Sequence, residues 1–102
     1  MKKIINTDKS PAPIGPYNQA ILKDSILFIS GQIALDPVSM KLNNDSIEDE
    51  TNQVMINLKN ILKEASMDFG NVVKTTIFLS DMDLFKKVND IYGKYIIEGE
   101  EP

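Results

Sequence analysis

The chain contains no cysteine, no histidine and no arginine, and all eleven of its basic residues are lysine. Without histidine or cysteine, a Ser-His-Asp triad, a Cys-His pair and a metal site built on thiolate or imidazole ligands are excluded within one chain. Disulfide bonds are excluded as well, which fits a reducing compartment. Hydrolysis would have to use carboxylates, hydroxyls, backbone groups or lysine, or residues outside this chain.

Long apolar runs and an excess of positive charge are also lacking. No stretch approaches the ~20 apolar residues that span a bilayer, and the apolar part of the start, Ile4-Ile5, is too short for a signal peptide. These features predict a soluble cytoplasmic protein without a membrane partner, with a mitochondrial location as the alternative. The net charge of −4 disfavours a nucleic-acid partner, because such binders usually carry a basic surface. Lys2-Lys3 and Lys86-Lys87 are interpreted as solvated faces.

The length of 102 residues predicts a single domain over 1–102, small enough to gain stability from oligomerisation. Strands are predicted over 2–6, 17–23 and 25–30, the last two joined by a tight turn at Lys23-Asp24-Ser25. A rigid loop over 7–16 is predicted from three prolines and a glycine. A second polar loop covers 34–46, where Asp36-Pro37 is interpreted as a turn rather than an acid.

Two helices are predicted in the rest of the chain. The first begins at Ser46, which resembles a capping box with Asp49, and ends before Gly70. Its apolar stripe is Val54, Leu58, Ile61, Leu62 and Ala65. The β-branched run 72–79 predicts a further strand. The second helix follows a turn and N-cap at Ser80-Asp81-Met82-Asp83, with a stripe of Leu84, Val88, Ile91, Tyr92 and Tyr95. Two helices on one face of a sheet give an α+β two-layer architecture.

Four residues are candidates for a ligand site. Tyr17 follows the rigid turn Gly15-Pro16 and could present its hydroxyl to a ligand, or pack at a subunit contact. Ser30-Gly31 ends an apolar strand, where a glycine lets a ligand approach the backbone N–H; a strand-end bulge is the alternative. Asn89 lies within the second helix, where an asparagine is most often simply exposed. A hairpin between them would bring Tyr17 and Ser30 close together.

Several segments together resemble one known family, the Rid family of reactive-intermediate (enamine/imine) deaminases, also called the YjgF or L-PSP endoribonuclease family. The order and spacing match over nearly the whole chain. The matching segments are Pro13-x-Gly15-Pro16-Tyr17-x-Gln19-Ala20, Ile29-Ser30-Gly31-Gln32, Glu50-Thr51-x-Gln53 with Asn57-Leu58, Thr75-Thr76-Ile77-Phe78-Leu79 and Val88-Asn89-x-x-Tyr92.

The resemblance implies a chorismate-mutase-like fold with a mixed sheet, assembled as a homotrimer with a central barrel and ligand clefts between subunits. It implies cofactor-free hydrolysis of a 2-imino acid, of the type derived from 2-aminoacrylate, to a 2-keto acid and ammonia. Tyr17, Ser30, Gly31 and Asn89 would line the pocket, and the Gly31 N–H would help hold the ligand. No metal site is expected.

The chain departs from the family pattern at its end. Family members continue with a Pro-Ala-Arg segment and further strands, in which the arginine grips the substrate carboxylate and a glutamate positions water. Neither lies within these residues, so the expectation is impaired deamination by a chain lacking the family's last strands. The alternatives are a non-catalytic trimeric binding or chaperone-like module, and the ribonuclease or translation inhibitor of the family name. Ribonuclease activity is disfavoured by the acidic charge and the lack of His and Arg.

Overall fold

The computed structural model describes residues 1–102 and places three short strands in one antiparallel sheet. The strands β1 (Lys2–Ile5), β2 (Ala20–Lys23) and β3 (Ile26–Ile29) lie side by side in chain order. The three strands predicted in this region are confirmed but are shorter than predicted. Because Ala20 pairs with Ile29, the segment before β2 and the segment after β3 emerge at the same end of the hairpin.

The other end of that hairpin is the predicted tight turn. Lys23 pairs with Ile26, so only Asp24 and Ser25 connect the two strands. Asp24 has a φ of 56°, a left-handed conformation that Asp and Asn adopt more readily than most residues. The turn thereby fixes the register of the hairpin, and with it the residues that meet at the opposite end.

The first helix, α1 (Ile47–Glu64), begins where the sequence predicts. Ser46 is its N-cap, and the Ser46 hydroxyl accepts a hydrogen bond from the Asp49 N–H at 3.0 Å. Three acidic residues in the first turn face the positive end of the helix dipole. The helix ends at Glu64 with Ala65 as its C-cap, and Ser66 turns the chain with a φ of 59°.

The core lies between α1 and one face of the sheet. Ile61 of α1 is fully buried against Ile5 of β1 and Ala20 of β2, and partly buried apolar side chains from β2, β3 and the end of α1 surround them. Ile61 and Leu62 of the predicted stripe are therefore core residues. The buried side of α1 also carries three polar residues that the apolar pattern does not predict: Thr51, Gln53 and Asn57.

The second helix, α2 (Phe85–Tyr95), packs against α1 through Val88 and Ile91, which are its buried residues. The Tyr95 hydroxyl also donates to Asn52 Oδ1 of α1 at 2.9 Å. A short 3₁₀ turn at Met82–Leu84 precedes α2 and is capped by Asp81, as the sequence predicts for this turn. Neither helix is both long and apolar enough to cross a bilayer.

The strand predicted over 72–79 is wrong for this structure. Backbone groups of residues 73–80 form no hydrogen bond with any other backbone group. Val73 and Phe78 are 85% and 94% exposed. A β-branched sequence becomes a strand only where a neighbouring strand accepts its N–H and C=O groups, and none lies beside this segment.

The sheet is consequently antiparallel throughout rather than mixed, because the segment that would have added a further strand is unpaired. The coarser prediction, an α+β fold with two helices and a small sheet, is confirmed. The trimeric barrel stays a prediction.

Candidate functional site

The open end of the β2–β3 hairpin brings Ser30 against the segment that carries Tyr17. Just beyond the ladder, the Ser30 N–H donates to the Gln19 carbonyl at 2.9 Å. The Ser30 hydroxyl donates to the Asn18 carbonyl at 2.7 Å. Ser30 is therefore held by two hydrogen bonds beside the residue next to Tyr17, and its hydroxyl oxygen retains lone pairs that can accept a further hydrogen bond.

The side chain of Tyr17 lies at the surface, 48% exposed. Its ring covers Gly15, where an added Cβ would lie 3.4 Å from the ring. The phenol oxygen accepts a long, weak hydrogen bond of 3.4 Å from the Ile14 N–H. The phenol proton has no acceptor within the chain, so it is available to a bound molecule.

Gly31 presents a free backbone donor at the same end of the hairpin. It is exposed, its N–H has no hydrogen-bond partner within the chain, and a Cβ placed on it would meet nothing within 4 Å. A backbone N–H in such open space can approach an oxygen of a ligand without steric conflict. The fixed Ser30, the surface phenol of Tyr17 and this N–H are the polar groups of the candidate site.

Asn89 does not join these three residues within one subunit. It is exposed on α2 and borders a separate cavity of about 380 Å³. The cavity is also lined by Tyr92, Gly93, Ile96, Glu98, Glu101 and Pro102. Neither Tyr17, Ser30 nor Gly31 borders it, so a pocket containing all four predicted residues would need more than one subunit.

Asp36 serves a turn, as the sequence predicts. One carboxylate oxygen, Oδ1, accepts hydrogen bonds of 2.9 Å from the N–H groups of Val38 and Ser39. The hydrogen bonds from Ser39 and Val38 lower the pKa of Asp36 below its ordinary value, because they stabilise the charged form. Asp36 is therefore ionised at neutral pH and is not suited to act as a general acid. No group of three or more acidic side chains in the chain is arranged to hold a metal ion.

Comparison with known families supports the resemblance carried by these segments. The family model described as Endoribonuclease L-PSP matches residues 7–102. The chain belongs to this family. Its members include proteins called Rid and YjgF, and the recognition from sequence is confirmed.

Curated relatives in the L-PSP family are similar over almost the whole chain. The RutC family protein slr0709 of Synechocystis is 50% identical over 98% of this chain and 78% of its own length. The mouse 2-iminobutanoate/2-iminopropanoate deaminase is 50% identical over 93% of this chain and 70% of its own. Reactive Intermediate Deaminase A of Arabidopsis thaliana, a chloroplastic protein, is 47% identical over 92%, and this chain spans half of its length.

Solved structures of the L-PSP family have the same fold. The Rid protein YyfA of Yersinia pestis superposes with a TM-score of 0.90 at 41% identity, covering 93% of this chain and 75% of its own. TdcF of Escherichia coli, solved with bound serine, gives 0.89 at 31% identity, covering 98% and 78%. The α+β architecture described above is therefore the architecture of the family.

Sequence reasoning attached no chemistry to the buried amides Gln19 and Asn57, which are 1% and 0% exposed. Both lie within the L-PSP family segments quoted above. A further signal was available in α1, where Gln53, Asn57 and Ile61 are spaced by four residues and therefore share one helix face. Polar residues in phase with a core isoleucine indicate buried hydrogen-bonding groups rather than a solvated face.

Proposed function

We propose that this chain provides the site of an imine deaminase, which hydrolyses a short-lived 2-imino acid to a 2-keto acid and ammonia. Water adds to the imine carbon, a proton passes to the nitrogen, and the C–N bond of the resulting carbinolamine breaks to release ammonia. The substrate class is the 2-imino acids of the 2-aminoacrylate type. The names of the mouse and Arabidopsis relatives support this reaction.

The observation that carries the proposal is the unpaired Gly31 N–H beside the fixed Ser30 and the surface phenol of Tyr17. A backbone N–H is suited to an oxygen of the substrate carboxylate, because charge-assisted hydrogen bonds of this kind are strong. In this proposal Gly31 holds the carboxylate, and the Tyr17 hydroxyl donates to the substrate. Ser30 accepts a hydrogen bond from the imine N–H.

The proposed pocket lies between subunits of a homotrimer and takes Asn89 from a different subunit than Gly31. Support comes from the sheet face that points away from α1. Ile4, Ile21 and Phe28 are cross-strand neighbours on it, and Ile4 and Phe28 are 54% and 61% exposed, with Ile26 beside them at 58%. An antiparallel sheet that stands alone usually has a polar outer face, so an apolar one favours contact with other subunits.

Replacing one aromatic residue on this face tests the assembly. Phe28→Asp puts a charge into the proposed subunit contact and should convert a trimer to a monomer. Phe85→Asp is the matched control, since Phe85 is similarly exposed at 53% but lies on α2. Sedimentation should give about three times the monomer mass for the parent chain and the control. A clean monomer of the parent chain at micromolar concentration would overturn the trimer and the shared pocket with it.

The chemistry is tested by generating 2-aminoacrylate with a Ser/Thr dehydratase and following imine disappearance with and without the chain. Tyr17→Phe removes the proposed hydroxyl and should slow the added hydrolysis by about tenfold, the loss of one hydrogen bond. Tyr95→Phe is the control, because its hydroxyl bonds Asn52 between the two helices. Binding of 2-oxobutanoate without turnover would instead favour the binding module. Cleavage of RNA would favour the ribonuclease.

A further inference from the structure

Two buried residues with carboxamide side chains form hydrogen bonds on either side of the Ser30-Gly31 segment without belonging to the proposed ligand contacts. Gln19 precedes β2 and Asn57 lies in the middle of α1. They are 1% and 0% exposed, and no buried side-chain nitrogen or oxygen in the chain lacks a hydrogen-bond partner. A fully satisfied buried polar network rigidifies the backbone it contacts.

The Gln19 side chain holds the loop that precedes Tyr17. Its Nε2 donates to the carbonyls of Thr7, Ser10 and Pro11 at 2.9, 3.1 and 2.8 Å. Its Oε1 accepts from the Thr7 N–H at 2.6 Å. The nitrogen end of the amide faces three carbonyl oxygens, so a carboxylate of the same shape would be repelled there.

The main chain of Gln19 holds Ser30 at the same time. Its N–H donates to Asn6 Oδ1 at 2.9 Å, and its carbonyl accepts the Ser30 N–H at 2.9 Å. One residue therefore joins the loop before Tyr17 to Ser30, the first residue of the Ser30-Gly31 segment. The side chain of Gln19 binds the loop over residues 7–11, and its main-chain carbonyl binds Ser30, so the side-chain bonds help to fix the residue that holds Ser30.

Asn57 holds the residues that follow the Ser30-Gly31 segment. Its Nδ2 donates to the carbonyls of Ile33 and Leu35 at 3.1 and 3.0 Å. Its Oδ1 accepts from Gln53 Nε2 at 3.0 Å, which orients the amide with its nitrogen toward the loop. The loop after Gly31 is thus fastened to α1 only a few residues beyond the free N–H.

Ser10 connects the Gln19 side chain to the main chain of Asn57. The Ser10 hydroxyl donates to the main-chain carbonyl of Asn57 at 2.7 Å, and the Ser10 carbonyl accepts from Gln19 Nε2. Ser10 is itself 1% exposed. The hydrogen bonds from Gln19 through Ser10 to Asn57 form one continuous buried connection between β2, the N-terminal loop and α1.

We propose that Gln19 and Asn57 are positioning residues, which hold the Ser30-Gly31 segment from both sides so that the Gly31 N–H stays unpaired and points to the ligand. The chemical consequence rests on the proposed function: the pair would set the affinity for the substrate carboxylate. The positioning of the Ser30-Gly31 segment does not depend on the proposed function, because all of these hydrogen bonds lie within the chain.

The test uses Asn57→Asp and Gln19→Glu, which keep the side-chain shape but remove the NH₂ donors. Asn44→Asp is the control, since Asn44 is exposed and forms no side-chain hydrogen bond. Amide hydrogen exchange followed by NMR reports the geometry through two amides, Ser30 N–H bonded to Gln19 and Asn43 N–H bonded to Ala34. Gln19→Glu should speed exchange at Ser30, and Asn57→Asp at Asn43, by about tenfold or more, whereas Val88 and Ile91 of α2 should keep the exchange rates of the parent chain.

A second readout separates positioning from general stability. In the deamination assay both variants should raise KM about tenfold with a smaller change in kcat. Ile91→Val, a core substitution on α2 away from the Ser30-Gly31 segment, should lower Tm without raising KM. If Ile91→Val raises KM equally, or if exchange at Ser30 and Asn43 is unchanged in the variants, the positioning role is wrong. If Asn57→Asp or Gln19→Glu does not fold, Ser10→Ala removes the single hydrogen bond to Asn57 and should show the same effects at smaller amplitude.

Failure of the positioning role is distinguishable from failure of the proposed function. A parent chain that neither deaminates 2-aminoacrylate nor binds 2-oxobutanoate would contradict the proposed function. The exchange rates at Ser30 and Asn43 would still decide whether Gln19 and Asn57 hold the Ser30-Gly31 segment.

Discussion

Residues 1–66 and residues 72–102 contain apolar sequences of similar quality, yet the first region forms nearly all of the core. All but two of the 14 buried residues of the chain precede residue 70, and the exceptions are Val88 and Ile91 of α2. The run Ile26–Ile29 is a strand, whereas the run over 72–79, which is richer in β-branched residues, is unpaired. The difference shows that strand propensity is expressed only where a partner strand satisfies the backbone.

Buried polar groups distinguish the two regions even more clearly. In the first region, Gln19 and Asn57 use their amides to bind loop carbonyls from inside the core. In the second, the long-range side-chain bonds are few, such as that from the Tyr92 hydroxyl to Thr75 Oγ1 at 3.1 Å on the surface. The loops of the first region are therefore fixed by the core, while the segment over 73–80 has a hydrogen bond only at Thr75.

Amide hydrogen exchange should show the largest difference between the two regions. Backbone N–H groups of 73–80 have no backbone acceptors, so they should exchange at nearly the rate of an unfolded peptide. Amides in the middle of α1, near Asn57, should exchange at least about 10³-fold more slowly, because they open only in large unfolding events.

Exchange measured by NMR or mass spectrometry on the same sample compares the two regions directly. Protection of residues 73–80 similar to that of α1 would mean that this segment has found a partner strand in solution. Repeating the measurement over a range of protein concentrations would then show whether the partner is another copy of the chain.

The next largest effect concerns catalysis by these 102 residues. They contain no guanidinium to bind a substrate carboxylate in a bidentate manner, a task that lysine performs poorly. We expect a version extended through the arginine and glutamate that family members carry to hydrolyse 2-aminoacrylate at least about 100-fold faster than the 102-residue polypeptide, given two charge-assisted hydrogen bonds.

The control for this prediction is the same extended chain with its added arginine replaced by lysine. Lysine keeps the positive charge but lacks the planar guanidinium with its paired N–H donors. This variant should recover only part of the rate. Full activity from the 102-residue polypeptide would show that backbone amides such as that of Gly31, or a lysine, suffice to hold the carboxylate.

The sequence predicts what local physical rules determine. Ser46 caps α1, Asp36 and Asp24 make turns, and Ile61 enters the core, because capping, turn chemistry and apolar periodicity operate over a few residues. The hairpin likewise follows from two apolar runs separated by a short polar turn, and it explains why Ser30 lies close to Tyr17.

The rest depends on distant parts of the chain. The failure of the strand over 72–79 could not be predicted from its own residues, because it reflects a missing neighbour rather than a poor propensity. Asn57 binds Ile33 and Leu35, more than twenty residues away, and no periodicity reveals which loop a buried amide will hold. The separation of Asn89 from Tyr17, Ser30 and Gly31 is also a tertiary property.

A matched pair of isoleucine-to-alanine substitutions, one in each region, tests the comparison at the level of stability. Ile61→Ala removes a side chain that is fully buried and should lower the free energy of unfolding by about 2–5 kcal/mol. Ile77→Ala makes the same chemical change in the segment over 73–80, at a side chain that is 47% exposed. It should lower the free energy of unfolding by less than about 1 kcal/mol. Urea unfolding curves measure both. If both substitutions lower the free energy of unfolding equally, Ile77 is buried in solution and the segment over 73–80 contributes to the core.

The smallest expected effect is the pH dependence contributed by Asp36. The hydrogen bonds from Ser39 and Val38 lower its folded-state pKa below the ordinary value of 3.8. Since a depressed pKa means that the native state prefers the charged carboxylate, this stabilisation is complete above the unfolded-state pKa and is lost as the pH falls through the folded-state pKa. Asp36→Asn should therefore lower Tm slightly near neutral pH, and the difference from the parent chain should shrink as the pH falls through the range below 3.8.

Asp45→Asn is the control, because the Asp45 carboxylate is exposed and accepts no hydrogen bond within the chain, and it should leave that pH dependence unchanged. A Tm difference for Asp36→Asn that is the same at neutral and at acidic pH would mean that the shape of the side chain, rather than its charge, stabilises the turn.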